Sequence, residues 1–415
     1  MRKIKDSGVA WIGVIPENWQ LLSVGALFKV RNEKVNDTDY PPLSVTKGGI
    51  VPQMESVAKS DATDNRKMVL KNDFVINSRS DRKQSCGVSP LDGSVSLINT
   101  VLYPVPNAPV LPDYLDYLLK NHGFAEEFYR WGHGIVADLW TTRWQEMKNI
   151  FLPIPPVEEQ QKIIFSISTQ MEKVDALIAN VQEQIEKLKA YKQSLITEVV
   201  TKGLDPTVPM KDSGVEWIGT IPASWKTIRV KQLLRERKER SVNGKEEPLS
   251  MSQKVGLVPT KMLDMIPNMA SSFVGAKLAY VDDLVFNKLK AHLGVFSVSK
   301  YDGLVSPDYA VYYSTGIIDL KYLEYLFKTP QCISEFRKRS TGIAAGLTRL
   351  YTDGLFAIEC PMPSKDEQAE IVLFLNEKCA QIDELMSLKQ TKIEKLEQYK
   401  RSLIYEYVTG KKEVS

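Results

Sequence analysis

Lys5-Asp6-Ser7-Gly8-Val9-Ala10-Trp11-Ile12-Gly13-Val14-Ile15-Pro16-Glu17-Asn18-Trp19 returns 206 residues later as Lys211-Asp212-Ser213-Gly214-Val215-Glu216-Trp217-Ile218-Gly219-Thr220-Ile221-Pro222-Ala223-Ser224-Trp225, with 11 of 15 positions identical. A repeat on this scale decides the organisation first, because each copy has to be one folding unit. A second match closes each copy: residues 185–201 align with 393–409 at an offset of 208, with 12 of 17 identical. Leu152-Pro153-Ile154-Pro155 matches Cys360-Pro361-Met362-Pro363, and Glu159-Gln160 matches Glu367-Gln368. The chain is therefore a unit of about 207 residues written twice.

The interiors match only at turn and strand-core positions. Pro42-Leu43-Ser44 pairs with Pro248-Leu249-Ser250, Phe74-Val75-Ile76-Asn77 with Leu284-Val285-Phe286-Asn287, Asp92-Gly93 with Asp302-Gly303, and Gly134-Ile135 with Gly342-Ile343. Two modules that share a backbone and differ in their loops would give this pattern. A duplication that simply drifted is the plainer alternative.

Length and composition bound the rest. At roughly 100–200 residues per domain, 415 residues predict two to four domains. With 43% hydrophobic and 25% charged residues, the composition is that of a folded soluble chain. The net charge of +3 is too mild to imply a polyanion partner, so a nucleic-acid reading must rest on local patches. No apolar run reaches membrane-span length and the N-terminus lacks an apolar signal core, so no membrane partner and a cytoplasmic location are expected. Cys86, Cys332, Cys360 and Cys379 form no C-x-x-C pair, and His122, His133 and His292 have no metal-binding spacing.

Each unit reads as an α+β module followed by a long helix. Phe74-Val75-Ile76, Val101-Leu102-Tyr103, Leu284-Val285-Phe286 and Ala310-Val311-Tyr312-Tyr313 predict strands, and residues 114–119 and 322–327 predict short helices. Then the period changes. Ile167, Met171, Val174, Ile178, Val181, Ile185, Leu188, Lys192, Leu195 and Val199 step by four and three, a heptad seam. The second copy offers Leu375, Cys379, Ile382, Met386, Lys389, Ile393, Leu396, Lys400, Leu403 and Tyr407, interrupted by two lysines. Lys192 and Lys400 fit a polar layer that sets register, or the end of the coil where a partner docks. Ser364-Lys365-Asp366-Glu367 predicts a capping box at the second helix start. One long helix per unit predicts that the two pair within the chain, as an antiparallel coiled coil that spaces the modules. A homodimeric coil is the competing reading. The predicted boundaries are 1–156 and 204–363 for the modules, with 157–203 and 364–415 for the helices.

The doubled D-S-G-V-x-W-I-G-x-I-P-x-x-W segment, the P-x-P…E-Q entry into a long helix and the module-helix-module-helix order together resemble the specificity subunit of type I restriction–modification systems. Asn287-Lys288-Leu289-Lys290-Ala291-His292-Leu293-Gly294 and Val305-Ser306-Pro307-Asp308-Tyr309 also resemble the family's target-recognition domains. The resemblance implies two α/β target-recognition domains separated by the two helices, each reading one half of a split site in double-stranded DNA. It implies that the helices set the spacer and dock two methyltransferase subunits, which two restriction subunits can join. S-adenosylmethionine would then belong to the methyltransferase, ATP and magnesium to the restriction subunit, and no cofactor or catalysis to this chain.

Independent chemistry has one weak signal. Neither Tyr40-Pro41-Pro42-Leu43 nor Ile154-Pro155-Pro156-Val157 fits an amino-methyltransferase corner, and neither Gly244-Lys245 nor Gly410-Lys411 is followed by Ser or Thr as a P-loop requires. Pro307-Asp308 with Asp319-Leu320-Lys321 fits the loose spacing of a metal-dependent nuclease, in which two carboxylates hold magnesium. A turn before a strand is the alternative. A coiled-coil scaffold that binds no DNA is the other rival.

Candidate DNA contacts lie in loops between matched core segments, where Arg and Lys can reach guanine or phosphate and Asn or Gln adenine. They are Lys47, Arg79, Arg82, Lys83, Gln84 and Arg143 in the first unit. In the second they are Gln253, Lys254, Lys288, Lys290, His292 and Arg349. Residues 226–245 hold eight basic residues against two Glu, which suggests a phosphate-facing or solvated helix. Trp140 and Trp144 could stack on a base, although core packing is the expected role. Trp11, Trp19, Trp217 and Trp225 are expected to pack the repeated scaffold.

Overall fold

The computed structural model describes residues 2–54, 64–79, 82–134, 140–253, 255–263, 272–342 and 348–414. It divides into two compact units: residues 1–182 with 390–415, and residues 183–389. The division cuts both long helices, Val157–Lys202 and Lys365–Val408. Each unit thus contains one module, the first half of one helix and the second half of the other. No helix among the described residues is long and apolar enough to cross a membrane.

In the first unit, a four-stranded antiparallel sheet has the order Cys86–Val88, Phe74–Asn77, Asn99–Pro104, Phe28–Val30. The second unit repeats it as Phe296–Val298, Leu284–Asn287, Tyr309–Ser314, Leu234–Glu236. The predicted β runs are its central strands, continuous apolar segments buried on both faces. One face packs on the short helices Pro112–Lys120 and His122–Arg130, or Leu320–Phe327 and Pro330–Arg339. The other covers a smaller core under a hairpin, Leu43–Thr46 with Gly49–Pro52, or Leu249–Ser252 with Gly256–Pro259. The fold class read from sequence is borne out.

A bidentate ion pair recurs under both sheets. Arg31 meets Asp73 at 2.7 and 3.1 Å, and Arg237 meets Asp283 at 2.7 and 2.8 Å. This corrects the reading of residues 226–245 as a helix. They form strand Lys226–Arg229, one helical turn Val230–Leu233 and strand Leu234–Glu236, because Ile228, Val230, Leu233 and Leu234 turn into the core. Arg229 and Arg237 are drawn to Glu359 and Asp283.

The doubled motifs are the sockets for the helices. Trp19 and Trp225 are each 1% exposed. Trp225 faces Gly203 just past the first long helix, and Trp19 faces Gly410 just past the second. The Gln of each E-Q pair is fully buried and clamps three backbone groups. Gln160 accepts from Leu111 N (2.8 Å) and donates to Pro109 O (2.8 Å) and Pro155 O (2.9 Å). Gln368 accepts from Asp319 N (2.7 Å) and donates to Pro363 O (3.1 Å) and Ile317 O (3.4 Å). The expected capping box is formed, with Ser364 N donating to Glu367 Oε2 and Glu367 N to Ser364 Oγ.

The long helices pair antiparallel within the chain, so a homodimer is not needed to cover the seam. In the first unit Ile167, Val174, Ile178, Val181, Ile393 and Leu403 are buried, with Met171 and Leu396 half-buried. In the second unit Ile382 is buried, while Ile185, Leu188, Leu195 and Met386 are half-buried and Ile196 takes the deeper position. The seam lysines are paired: Lys400 with Asp175 (2.5 Å) in the first unit, and Lys192 with Asp383 (2.7 Å) in the second. Lys389 donates to Gln184 Oε1 at 2.6 Å.

All four cysteines are free and buried. Burial pushes the Cys86 thiol up to about 12. Gln160→Ala should strand three buried backbone groups and cost about 2–3 kcal/mol in urea unfolding, whereas Gln145→Ala, at an exposed position, should cost under about 0.5 kcal/mol.

Candidate nucleic-acid interface

In the first unit three loops converge beyond the open end of the sheet. Thr142 N donates to Ser78 O at 3.0 Å, and Thr141 exchanges backbone hydrogen bonds with His133 at 3.1 and 3.2 Å. Arg79 forms an isolated bridge with Thr141. Ser78 and Arg79 are thereby fixed next to the segment that leads to Arg143, which is exposed at the start of a one-turn helix, Trp144–Met147. A cavity of about 460 Å³ opens here, lined by Lys67, Leu97, Ile98, Thr141, Arg143 and Trp144 among others.

Among the other first-unit candidates, Arg82 follows directly on that cluster, its N donating to Arg79 O at 3.2 Å. Arg82 is exposed, and Gln84 is half-buried at φ +64°, a turn position. Lys83 pairs with Glu126 at 3.0 Å and lies over the Tyr129 ring. Lys47 is exposed at the tip of the hairpin, which Lys120 anchors through Gly48 O and Asp116.

The second unit gathers the equivalent backbone with different side chains. Leu350 N donates to Lys288 O (3.0 Å) and Lys288 N to Asp308 O (3.4 Å), while Arg349 and Thr341 exchange backbone bonds at 2.9 and 3.0 Å. The Arg349 guanidinium reaches the Asp308 carboxylate at 3.5 Å. Gln253 donates to Leu293 O at 3.1 Å, tying the hairpin to the turn Ala291–Leu293 that carries half-buried His292. Lys290 is exposed beside it, and Lys254 lies outside the described residues.

The nuclease spacing is not a site. Asp308 and Asp319 flank the strand Tyr309–Ser314, whose six residues span roughly 20 Å. Asp319 caps the next helix by accepting from Lys321 N and Tyr322 N, and the Lys321 ammonium turns to Glu324 at 2.8 Å. No group of three or more metal-ligating residues occurs among the described residues.

Sequence reasoning expected Trp140 in the core and passed over Tyr351, Leu97 and Ile98. Trp140 is 40% exposed rather than in the core, because the neighbouring Trp144 takes the place against it. Tyr351, the exposed helix cap equivalent to Arg143, lacked the charge that marks a candidate. Leu97-Ile98, which align with Pro307-Asp308, line the cavity but carry no polar group that would mark them as candidates.

No family model matches the chain. A provisionally assigned specificity subunit of Methanocaldococcus jannaschii, of the type I restriction enzyme MjaX, is 23% identical over 96% of this chain and 95% of its own length. The MjaVIII specificity subunit of the same organism is 24% identical over 64% of this chain and 62% of its own. The chain is similar, end to end, to type I specificity subunits. The resemblance carried by the doubled segment is thus borne out. Solved structures repeat the fold. A chain from work on complex assembly and conformational transition of the type I restriction–modification system covers 95% of this chain, with a TM-score of 0.68 and 15% identity. The HsdS subunit of Thermoanaerobacter tengcongensis covers 95%, with a TM-score of 0.53 and 16% identity.

The Lys83–Glu126 pair is about half exposed on both sides, and such pairs contribute about 0–1 kcal/mol. Lys83→Ala should therefore shift thermal stability little. If Lys83 reaches phosphate, the same change should lower the slope of log K against log salt for duplex DNA by about 1, which a titration at several salt concentrations measures.

Proposed function

We propose that this chain is the sequence-reading subunit of a type I restriction–modification complex, with each module reading one half of a bipartite site in double-stranded DNA. One observation carries this reading: two modules keep the same sheet, the same bridging loops and the same hydrogen-bonded backbone, yet change the residues at the loop tips. Drift alone gives no reason for the variation to concentrate there. In this reading Lys47, Arg79, Arg82, Lys83, Gln84 and Arg143 face one half-site, and Gln253, Lys254, Lys288, Lys290, His292 and Arg349 the other.

The helices support the rest of the proposal. Phe165 and Leu373, each 72% exposed, lie 208 residues apart, as do Leu177 with Leu385 and Tyr191 with Tyr399. Large apolar residues left in water at the same offset fit two copies of one partner, the methyltransferase subunits. Helices of 46 and 44 residues, at ~1.5 Å per residue, would set the half-site spacing. Half-site centres about 10 bp apart are expected if both modules address one DNA face. S-adenosylmethionine would bind the methyltransferase subunits, ATP and magnesium the restriction subunits where present. This chain would supply no catalytic group, and the complex would act in the cytoplasm.

Deleting the gene should erase N6-methyladenine at one bipartite motif in methylome sequencing, and swapping one module should alter one half-site only. Loss of no motif would sink the proposal and leave the scaffold reading. Phe165→Ser or Leu373→Ser alone should reduce the bound methyltransferase subunits from two to one by native mass spectrometry, without moving the melting temperature.

A further inference from the structure

The turn that precedes the last sheet strand has one backbone in both units. Asn99 N donates to Ser96 O at 3.0 Å, and Tyr309 N to Ser306 O at 2.9 Å. A lysine from a neighbouring strand locks each: Lys67 Nζ to Asn99 O at 2.7 Å, and Lys277 Nζ to Tyr309 O at 2.6 Å. The central residues differ. Pro307-Asp308 obeys turn chemistry, since Pro pre-sets φ and Asp favours turns. Leu97-Ile98 breaks it with two large apolar residues, one β-branched, and the turn does not bury them: they are 41% and 37% exposed. A local rule broken without a packing gain marks a functional position.

The surroundings select the ligand. Leu97 and Ile98 form an apolar edge of the 460 Å³ cavity whose described lining includes the cations Lys67 and Arg143 and no acid. That charge suits a polyanion, and the apolar edge suits a polyanion bearing a methyl group. In the DNA major groove the apolar group on a base edge is the thymine C5-methyl.

Resting on the function proposed above, we propose that Leu97 and Ile98 read a thymine methyl in the first unit's half-site, while the same turn in the second unit reads a hydrogen-bonding base edge through Asp308 and Arg349. The variant Leu97→Ser/Ile98→Asn tests it, because both replacements favour turns. If the pair were structural, melting temperature would fall. If it is a reader, melting temperature holds or rises and recognition relaxes. Methylome sequencing with the variant should show one T·A position in one half-site becoming degenerate, with the other half-site unchanged. In the assembled complex, replacing that thymine by uracil should weaken wild-type binding by about fourfold, the worth of one methylene-sized group, and should leave the variant unaffected. An unchanged motif, a relaxed position that is not T·A, or an equal response to uracil would overturn the inference. A wild-type gene whose deletion erases no motif would instead overturn the reading on which it rests.

Discussion

A buried tyrosine hydroxyl closes each unit, and the rest of the architecture depends on what it holds. The Tyr114 hydroxyl lies 3.0 Å from Pro153 O and 3.2 Å from Val408 O. The Tyr322 hydroxyl lies 3.3 Å from Pro361 O and 2.9 Å from Val200 O. Burial pushes both phenols well above their usual range, so both stay protonated donors. Each therefore ties its module to the strand that leads into one helix and to the last turn of the other. The first unit's core needs Leu403, Tyr407 and Val408, nearly 300 residues from Tyr114. Gly410 is committed by the same closure. Its φ is +71° and a Cβ would lie 2.4 Å from Pro16, so no other residue fits between the helix end and Trp19. The doubled D-S-G-V-x-W segment is thus repeated because it is the seat of a helix end.

The polar seam positions work by constraint more than by energy. Lys192–Asp383 and Lys400–Asp175 are partly exposed pairs, a class that contributes little stability. A slip by one heptad would bring Asn376 or Gln390 to Lys192 in place of Asp383, and Ser168 or Gln182 to Lys400 in place of Asp175; both ion pairs would be lost, so the pairs specify register. Lys400 and Asp383 stand 208 residues after Lys192 and Asp175, so one Lys–Asp spacing, duplicated, provides both locks. An antiparallel pair of like helices is self-complementary in the way an isologous interface is.

What was legible in the sequence was whatever two copies had to keep. The seam, the capping box, the sheet strands and the helix sockets all appear as repeats or periods, because burial punishes change there. The Gln of the E-Q pair was visible, but its clamp on three backbone groups was not, since that depends on Pro109 and Ile317 arriving from elsewhere in the chain. The basic run misled because charge counts say nothing about which arginines Asp283 and Glu359 recruit. Trp140 misled because exposure follows from which of two neighbouring tryptophans the core admits. Leu97-Ile98 escaped for the opposite reason: an apolar dipeptide looks like core until its turn is seen.

Duplication alone would give two identical modules. Asymmetry has to enter where it does not disturb the closure. The turn after Ser96 and Ser306 meets that condition, because Lys67 and Lys277 hold its carbonyl whatever the tip carries. Burial pushes both ammonium groups down. Such lysines are costly to bury and are retained only where a bond repays them. The loops bridged through Thr141 and Arg349 follow the same logic, with backbone bonds fixing the frame and side chains left to vary. A frame held by main-chain contacts lets one module change its loop residues while the tyrosine clasp, the helix seats and the register lock stay as they are. That separation is what lets one chain carry two unlike sets of loop residues on one repeated scaffold.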